Sequence, residues 1–160
     1  GRGRAAVELF AGAGLFTLGL SRAFERVVAV EGSARASADL VFNLARAERT
    51  NVEVLRRRVD RALAHVERAR PEVVVLDPPR EGLGAAVASA LAALGAARIV
   101  YVSCDPATLA RDAEQIVAGG YRLAALEGFD LFPQTAHVEA LARFELTEGG
   151  PARGAGSEPG

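Results

Sequence analysis

The 160-residue chain contains no methionine, no tryptophan and no lysine, and it has a single cysteine, Cys104. One cysteine excludes an internal disulfide and any zinc or iron–sulfur site built on several thiolates within these residues. Without lysine, all 19 basic residues are arginine; the Ala/Arg/Gly richness reads first as codon bias and second as RNA binding. The formal net charge of -1 gives no broad basic field to attract nucleic acid. No apolar run is long enough to span a bilayer, and no signal peptide is visible. The expectation is a reduced, cytoplasmic setting with no membrane and no metal. Because Met is absent even at position 1, the chain is expected to be a piece of a longer protein. What is present is an apolar half, 17 glycines and 7 prolines, enough for one domain with a core. The Gly/Pro-rich stretch 149–160 is expected to be a disordered tail behind a domain spanning 1–148.

Short apolar runs alternate with amphipathic segments. Strands are expected at Ala5–Phe10, Val27–Glu31, Asn51–Leu55, Val73–Asp77, Arg98–Val102, Tyr121–Leu126 and Val138–Leu146. Helices are expected at Phe16–Phe24, Ser33–Arg49, Asp60–Arg70, Ala85–Leu94 and Pro106–Ala118. Ser33 is a candidate N-cap, and Gly119-Gly120 a helix stop. This alternation predicts an α/β fold, a mainly parallel sheet with helices on both faces. The last two strands have no helix between them and are expected to form an antiparallel pair at one edge. Ligands of such folds bind beyond the carboxyl ends of the strands, so the strand ends are the residues to inspect.

Glu8–Gly14 (ELFAGAG) ends the first strand in a Gly-rich turn where backbone can approach a ligand closely. Thr17 stands where a dinucleotide pattern has its third glycine, so the turn alone is a weak signal. Glu31 ends the second strand, where a carboxylate accepts hydrogen bonds from two ribose hydroxyls. Turn and acid together favour a nucleoside-type cofactor without a polyphosphate. Asp77-Pro78-Pro79-Arg80 ends the fourth strand; the two prolines hold the chain extended and leave Asp77 and nearby carbonyls to face a planar polar ligand. Its plain alternative is a rigid exit from the sheet. Cys104 lies between the fifth strand and a helix opened by Asp105-Pro106, where the dipole and free N–H groups favour a thiolate. The plain alternative is a small buried hydrophobe, and the Asp105 charge opposes ionisation. His137 and Glu139 share one face of the last strand. Their H-x-E spacing lacks the Pro-Cys-x-x-Cys of zinc deaminases. Phe129 and Phe132 either stack on a base or fill the core, and His65 reads as a surface residue.

The set Asp77–Leu83 (DPPREGL), Tyr101–Asp112 (YVSCDPATLARD), Gly120-Tyr121 and Asp130–Glu139 (DLFPQTAHVE) resembles the RNA uracil-C5 methyltransferases. These are class I, S-adenosylmethionine-dependent enzymes that make 5-methyluridine. The likeness runs from about Val7 to Leu146, and the PATLARD wording is closer to the 23S rRNA branch than to the tRNA branch. The resemblance implies a Rossmann-like seven-stranded sheet with an antiparallel last strand. It implies Cys104 as nucleophile, Glu139 as general base, and cofactor contacts at Phe10, Gly12, Glu31 and Asp77. RNA, of rRNA or tRNA type, is the implied partner.

Several positions depart from the family's pattern. Asp105 stands where Asn is usual, Leu15 where an Asn helps hold the cofactor, and Arg58 where an acid or amide is expected, with Asp60 nearby. Full members also carry N-terminal RNA-binding and cofactor-covering segments, in some with an iron–sulfur cluster, that these residues do not include. The chain alone is therefore expected to bind the cofactor weakly and to methylate RNA poorly. Two other functions fit the residues: an N-methyltransferase working through the DPPR strand end with Cys104 a spectator, and a non-catalytic remnant that only binds S-adenosylmethionine or RNA.

Overall fold

The structure, a computed structural model, describes residues 2–129 and 139–150. Chain order is β1 (Gly3–Leu9), α1 (Leu15–Ala23), β2 (Phe24–Val30), α2 (Ala34–Arg46), β3 (Val52–Leu55), α3 (Val59–Arg68), β4 (Val73–Leu76), α4 (Ala85–Ala93), β5 (Arg98–Ser103), α5 (Pro106–Ala118), β6 (Tyr121–Phe129) and β7 (Glu139–Leu146). The seven strands form one sheet in the order β3-β2-β1-β4-β5-β7-β6. The first five pair in parallel, and β7 runs antiparallel to both β5 and β6. The expected fold class and edge pair are therefore present. The last strand, however, slots between β5 and β6 and leaves β6 at the rim.

Side-chain alternation sorts the sheet into two faces. Val28 and Val30 join Val7, Leu9, Val74, Leu76, Ile99 and Tyr101 in a cluster with Val59, Ala62 and Val66 of α3, Leu91 of α4, and Leu109 and Ile116 of α5. Ala29, between those two valines, turns the other way and packs with Leu40 and Leu44 of α2 and Leu18 of α1. Helices thus cover both faces, with the larger core under α3–α5.

Local chemistry explains most boundaries. Ser33 caps α2 by accepting from the Ala36 N–H. Asp105 caps α5 by accepting from Ala107 and Thr108 N–H (2.9 and 3.0 Å), with Pro106 in the first turn where its missing N–H costs nothing. Some expected bounds shift. The α1 helix runs directly into β2 at Phe24, and β6 continues to Phe129 because it pairs with β7 along its whole length. The expected tail lies outside the described residues apart from Gly149 and Gly150.

Candidate functional site

The carboxyl ends of β1, β2, β4 and β5 open on one rim of the sheet, and the turn after β1 is its most unusual backbone. Phe10, Gly12 and Gly14 all have positive φ (60°, 55° and 95°). Glycine takes this conformation freely, while Phe10 holds it at a cost of about 1 kcal/mol. A Cβ on Gly12 would meet no atom within 4 Å. Glycine there serves the backbone angle and leaves the adjoining space open to a ligand. The Glu31 carboxylate spans the turn from the end of β2, accepting from Gly12 N–H (2.8 Å) and Ser33 N–H (2.6 Å). Two fixed donors orient the carboxylate, and its remaining lone pairs are available to hydroxyl groups.

A cleft of about 400 Å³ begins here, lined by Phe10, Glu31, Gly32, Arg58, Val59 and Asp60 on one side and by Pro79, Glu81, Gly82, Leu83 and Val87 on the other. Its size and its mix of apolar walls with a few charged groups suit a nucleoside-sized ligand. Asp60 pairs with Arg58 (3.1 Å), and this contact first of all holds the Asp60 carboxyl below the usual range. The position that departs from the family pattern, Arg58, therefore reaches the cleft together with a carboxylate two residues on. A second hollow, about 420 Å³, lies between α5 and the β6–β7 pair and is lined almost wholly by apolar groups such as Leu109, Leu123, Leu126 and Phe144. Glu127 is its one charged lining residue, fewer polar groups than a nucleoside needs.

Asp77, Cys104 and Glu139 lie beside the cleft rather than in its lining. Cys104 is half-buried, after Ser103 of β5 and before the Asp105 cap of α5. The last pair of the β5–β7 ladder is Ser103 with Ala140. Cys104 and Glu139 are the next residues along these antiparallel strands, so they lie at the same end of the sheet. Asp77 follows Leu76, which pairs with Tyr101 of β5. Asp77 as a residue is exposed, but its carboxyl has lost enough hydration to be raised, and the Glu139 carboxylate raises it further. Asp77 and Glu139 are thus close enough for their charges to interact. The Asp105 charge is committed elsewhere: hydrogen bonding from Thr108 N–H is the main cause that keeps its carboxyl low, with Arg80 adding to it. His65, expected as a plain surface residue, is half-buried and pairs with Glu53 (2.7 Å). Phe129 is 40% exposed at the end of β6 and does not fill the core. His137 and Phe132 fall outside the described residues.

Two buried carboxylates went unnoticed in the sequence. Asp112 on α5 is fully buried, and Glu8 on β1 is 2% exposed. Glu8 accepts from the Thr17 hydroxyl, and the N–H groups of Phe16 and Thr17 lie against it. The α1 helix has no side-chain cap of its own at Gly14, so the strand supplies one from beneath the Gly-rich turn. Burial dominates and pushes the Glu8 carboxyl up to about 7 from an ordinary 4.5, with the Asp77 charge adding to the rise. A carboxyl raised in the folded state stabilises least when ionised. Its penalty is absent below about pH 4.5 and complete above about pH 7, roughly 3 kcal/mol across that window. Urea unfolding at pH 5 and pH 8 should show the wild type losing this stability as pH rises, and Glu8→Gln losing much less. Parallel losses in both proteins would refute it.

Comparison with known proteins agrees with these motifs. The family model for tRNA (uracil-5-)-methyltransferase matches residues 1–144. A 23S rRNA (uracil(1939)-C(5))-methyltransferase of Pseudomonas fluorescens is 46% identical over 143 residues, covering 88% of this chain and 32% of the relative. An uncharacterized RNA methyltransferase of Streptomyces coelicolor is 42% identical, covering 90% of this chain and 32% of the relative. Among solved structures, the Pyrococcus abyssi tRNA (uracil-54, C5)-methyltransferase in complex with S-adenosyl-L-homocysteine superposes with a TM-score of 0.71 at 28% identity, covering 89% of this chain and 34% of that one. The chain thus spans about a third of the length of these relatives. By its motifs, its sheet order and a match along nearly all of its length, it belongs to the tRNA (uracil-5-)-methyltransferase family.

Proposed function

We propose that this chain carries the catalytic residues for methyl transfer from S-adenosylmethionine to C5 of a uridine in RNA, with 23S rRNA favoured over tRNA. The observation that carries the reading is the meeting of Cys104, Glu139 and Asp77 at one rim of the sheet, next to a nucleoside-sized cleft. The 46% identity to a 23S rRNA enzyme favours the ribosomal substrate. The cleft fits the cofactor: Glu31 would accept from ribose hydroxyls, Phe10 and Gly12 would form the turn beside the nucleoside, and Arg58 with Asp60 would offer polar groups to a base edge. Bound S-adenosylmethionine supplies an electrophilic methyl group.

Uracil C5 is a weak nucleophile. Cys104 changes that by adding its thiolate sulfur to C6, which moves the ring electrons onto C5 and O4. Cys104 is half-buried and directly precedes Asp105, the N-cap of α5. C5 would then take the methyl group, the sulfonium–methyl bond breaking to release S-adenosyl-L-homocysteine, and become tetrahedral while the Cys104 sulfur stays bonded to C6. The Glu139 carboxylate removes the C5 proton. The C5–C6 double bond re-forms and Cys104 leaves as thiolate, so the sulfur ends as it began. Asp77 sits where its carboxyl hydrogen-bonds the uracil edge or the cofactor. A uridine within folded RNA has to swing out of its stack to reach these groups. With a net charge of -1, the protein draws most of its phosphate contacts from segments beyond these residues. Calorimetric titration with S-adenosyl-L-homocysteine, followed by methylation of an rRNA fragment with labelled S-adenosylmethionine, tests the reading. Label at C5 of uridine, at low yield from this chain alone, is expected; label on an exocyclic nitrogen would overturn it.

A further inference from the structure

Two of the motifs are far apart in sequence, DPPREGL at 77–83 and PATLARD at 106–112. In the fold they are joined through one buried side chain. Asp112 is fully buried on α5, and its carboxylate accepts from Leu83 N–H (2.6 Å), Gly84 N–H (3.2 Å), the Tyr101 hydroxyl (2.8 Å) and the Arg111 guanidinium (3.0 Å). Arg111 also donates to the Glu81 carbonyl (2.7 Å). Donors from three elements therefore satisfy a charge that would otherwise be costly to bury. The packing leaves no slack. Gly82 has φ +72°, and a Cβ there would lie 2.5 Å from the Asp112 carboxylate and 2.7 Å from Arg111. Glycine in this motif is explained by the approach of Asp112.

The moored segment is one wall of the cleft, where Glu81, Gly82 and Leu83 face Phe10, Glu31 and Asp60. The anchoring helix begins two residues after Cys104. We infer that Asp112 is a positioning residue for the transfer site: it holds the 81–84 backbone as a fixed cofactor wall, in register with the helix that follows the nucleophile. This rests on the cleft being the S-adenosylmethionine site, as proposed above. It adds a role for a residue that touches neither substrate nor cofactor.

The test compares Asp112→Ala, Asp112→Asn and Gly82→Ala with Ile116→Ala, which opens a cavity under the same helix and removes none of these hydrogen bonds. The readouts are affinity for S-adenosyl-L-homocysteine and amide hydrogen exchange at residues 81–84, measured on protein shown by circular dichroism to be folded. Asp112→Ala and Gly82→Ala should weaken binding by about tenfold or more and speed exchange in the loop. Asp112→Asn, which keeps one acceptor oxygen, should recover part of the affinity. Ile116→Ala should lower the melting temperature and leave affinity and loop exchange unchanged. Equal affinity for Asp112→Ala and wild type would overturn the inference alone. So would weakening of Ile116→Ala to the same degree, because the effect would then be general destabilisation. A wild-type protein that binds no S-adenosyl-L-homocysteine would sink the cofactor reading, and this inference with it.

Discussion

Replacing Cys104 by serine should lower methyl transfer to uridine C5 by at least about 10³-fold, the scale expected when a covalent nucleophile is lost. The cofactor cleft should keep its affinity, because Cys104 is not in its lining. A serine hydroxyl is far less acidic than a thiol and stays un-ionised at neutral pH. The measurement is transfer of labelled methyl to rRNA alongside titration with S-adenosyl-L-homocysteine. Near-normal transfer by Cys104→Ser would make the thiol a spectator and favour attack by a nitrogen near the DPPR strand end.

Glu139→Gln should act at a later step. If Glu139 removes the C5 proton, its amide still permits addition of Cys104 and methyl transfer, and then stalls. Turnover should fall by about 10²–10⁴-fold, the range for loss of a general base. The stalled species is a methylated RNA joined to the protein through Cys104, visible as a slow-migrating band under denaturing conditions. A second effect follows from the charge interaction between the two carboxylates: without the Glu139 charge, the Asp77 carboxyl should titrate lower. Loss of turnover with no accumulated adduct would place Glu139 before the covalent step and contradict the assigned role.

The sequence revealed the parts of this molecule governed by local chemistry. The bounds of α5 are legible to the residue, because Pro106 and the Gly119-Gly120 stop are strong signals. The Ser33 cap is legible for the same reason. Cys104 is legible as a strand-to-helix junction, since an apolar run and a Pro-opened helix bracket it. Register is not local. That Glu139 lies at the same end of the sheet as Cys104 depends on β7 slotting between β5 and β6, a long-range choice that period-two patterning cannot specify. The two structural carboxylates illustrate the same limit. Glu8 is the lone acid in the apolar strand Ala5–Phe10, and Asp112 falls on the buried face with Leu109 and Ile116. An acid on an apolar face is a readable signal of burial. Its partners, Thr17 in one case and the 81–84 loop in the other, come from tertiary packing and become visible only in the fold.

The most direct test of covalent catalysis uses an RNA fragment carrying 5-fluorouridine at the target position, incubated with the protein and S-adenosylmethionine. Fluorine at C5 cannot leave as a proton, so the reaction should stop with the ring bonded to sulfur. Mass spectrometry of the digested protein should then find one methylated 5-fluorouridine adduct, on the Cys104 peptide, and none in Cys104→Ala. Methylated RNA released free of protein, or an adduct on any other residue, would contradict the account.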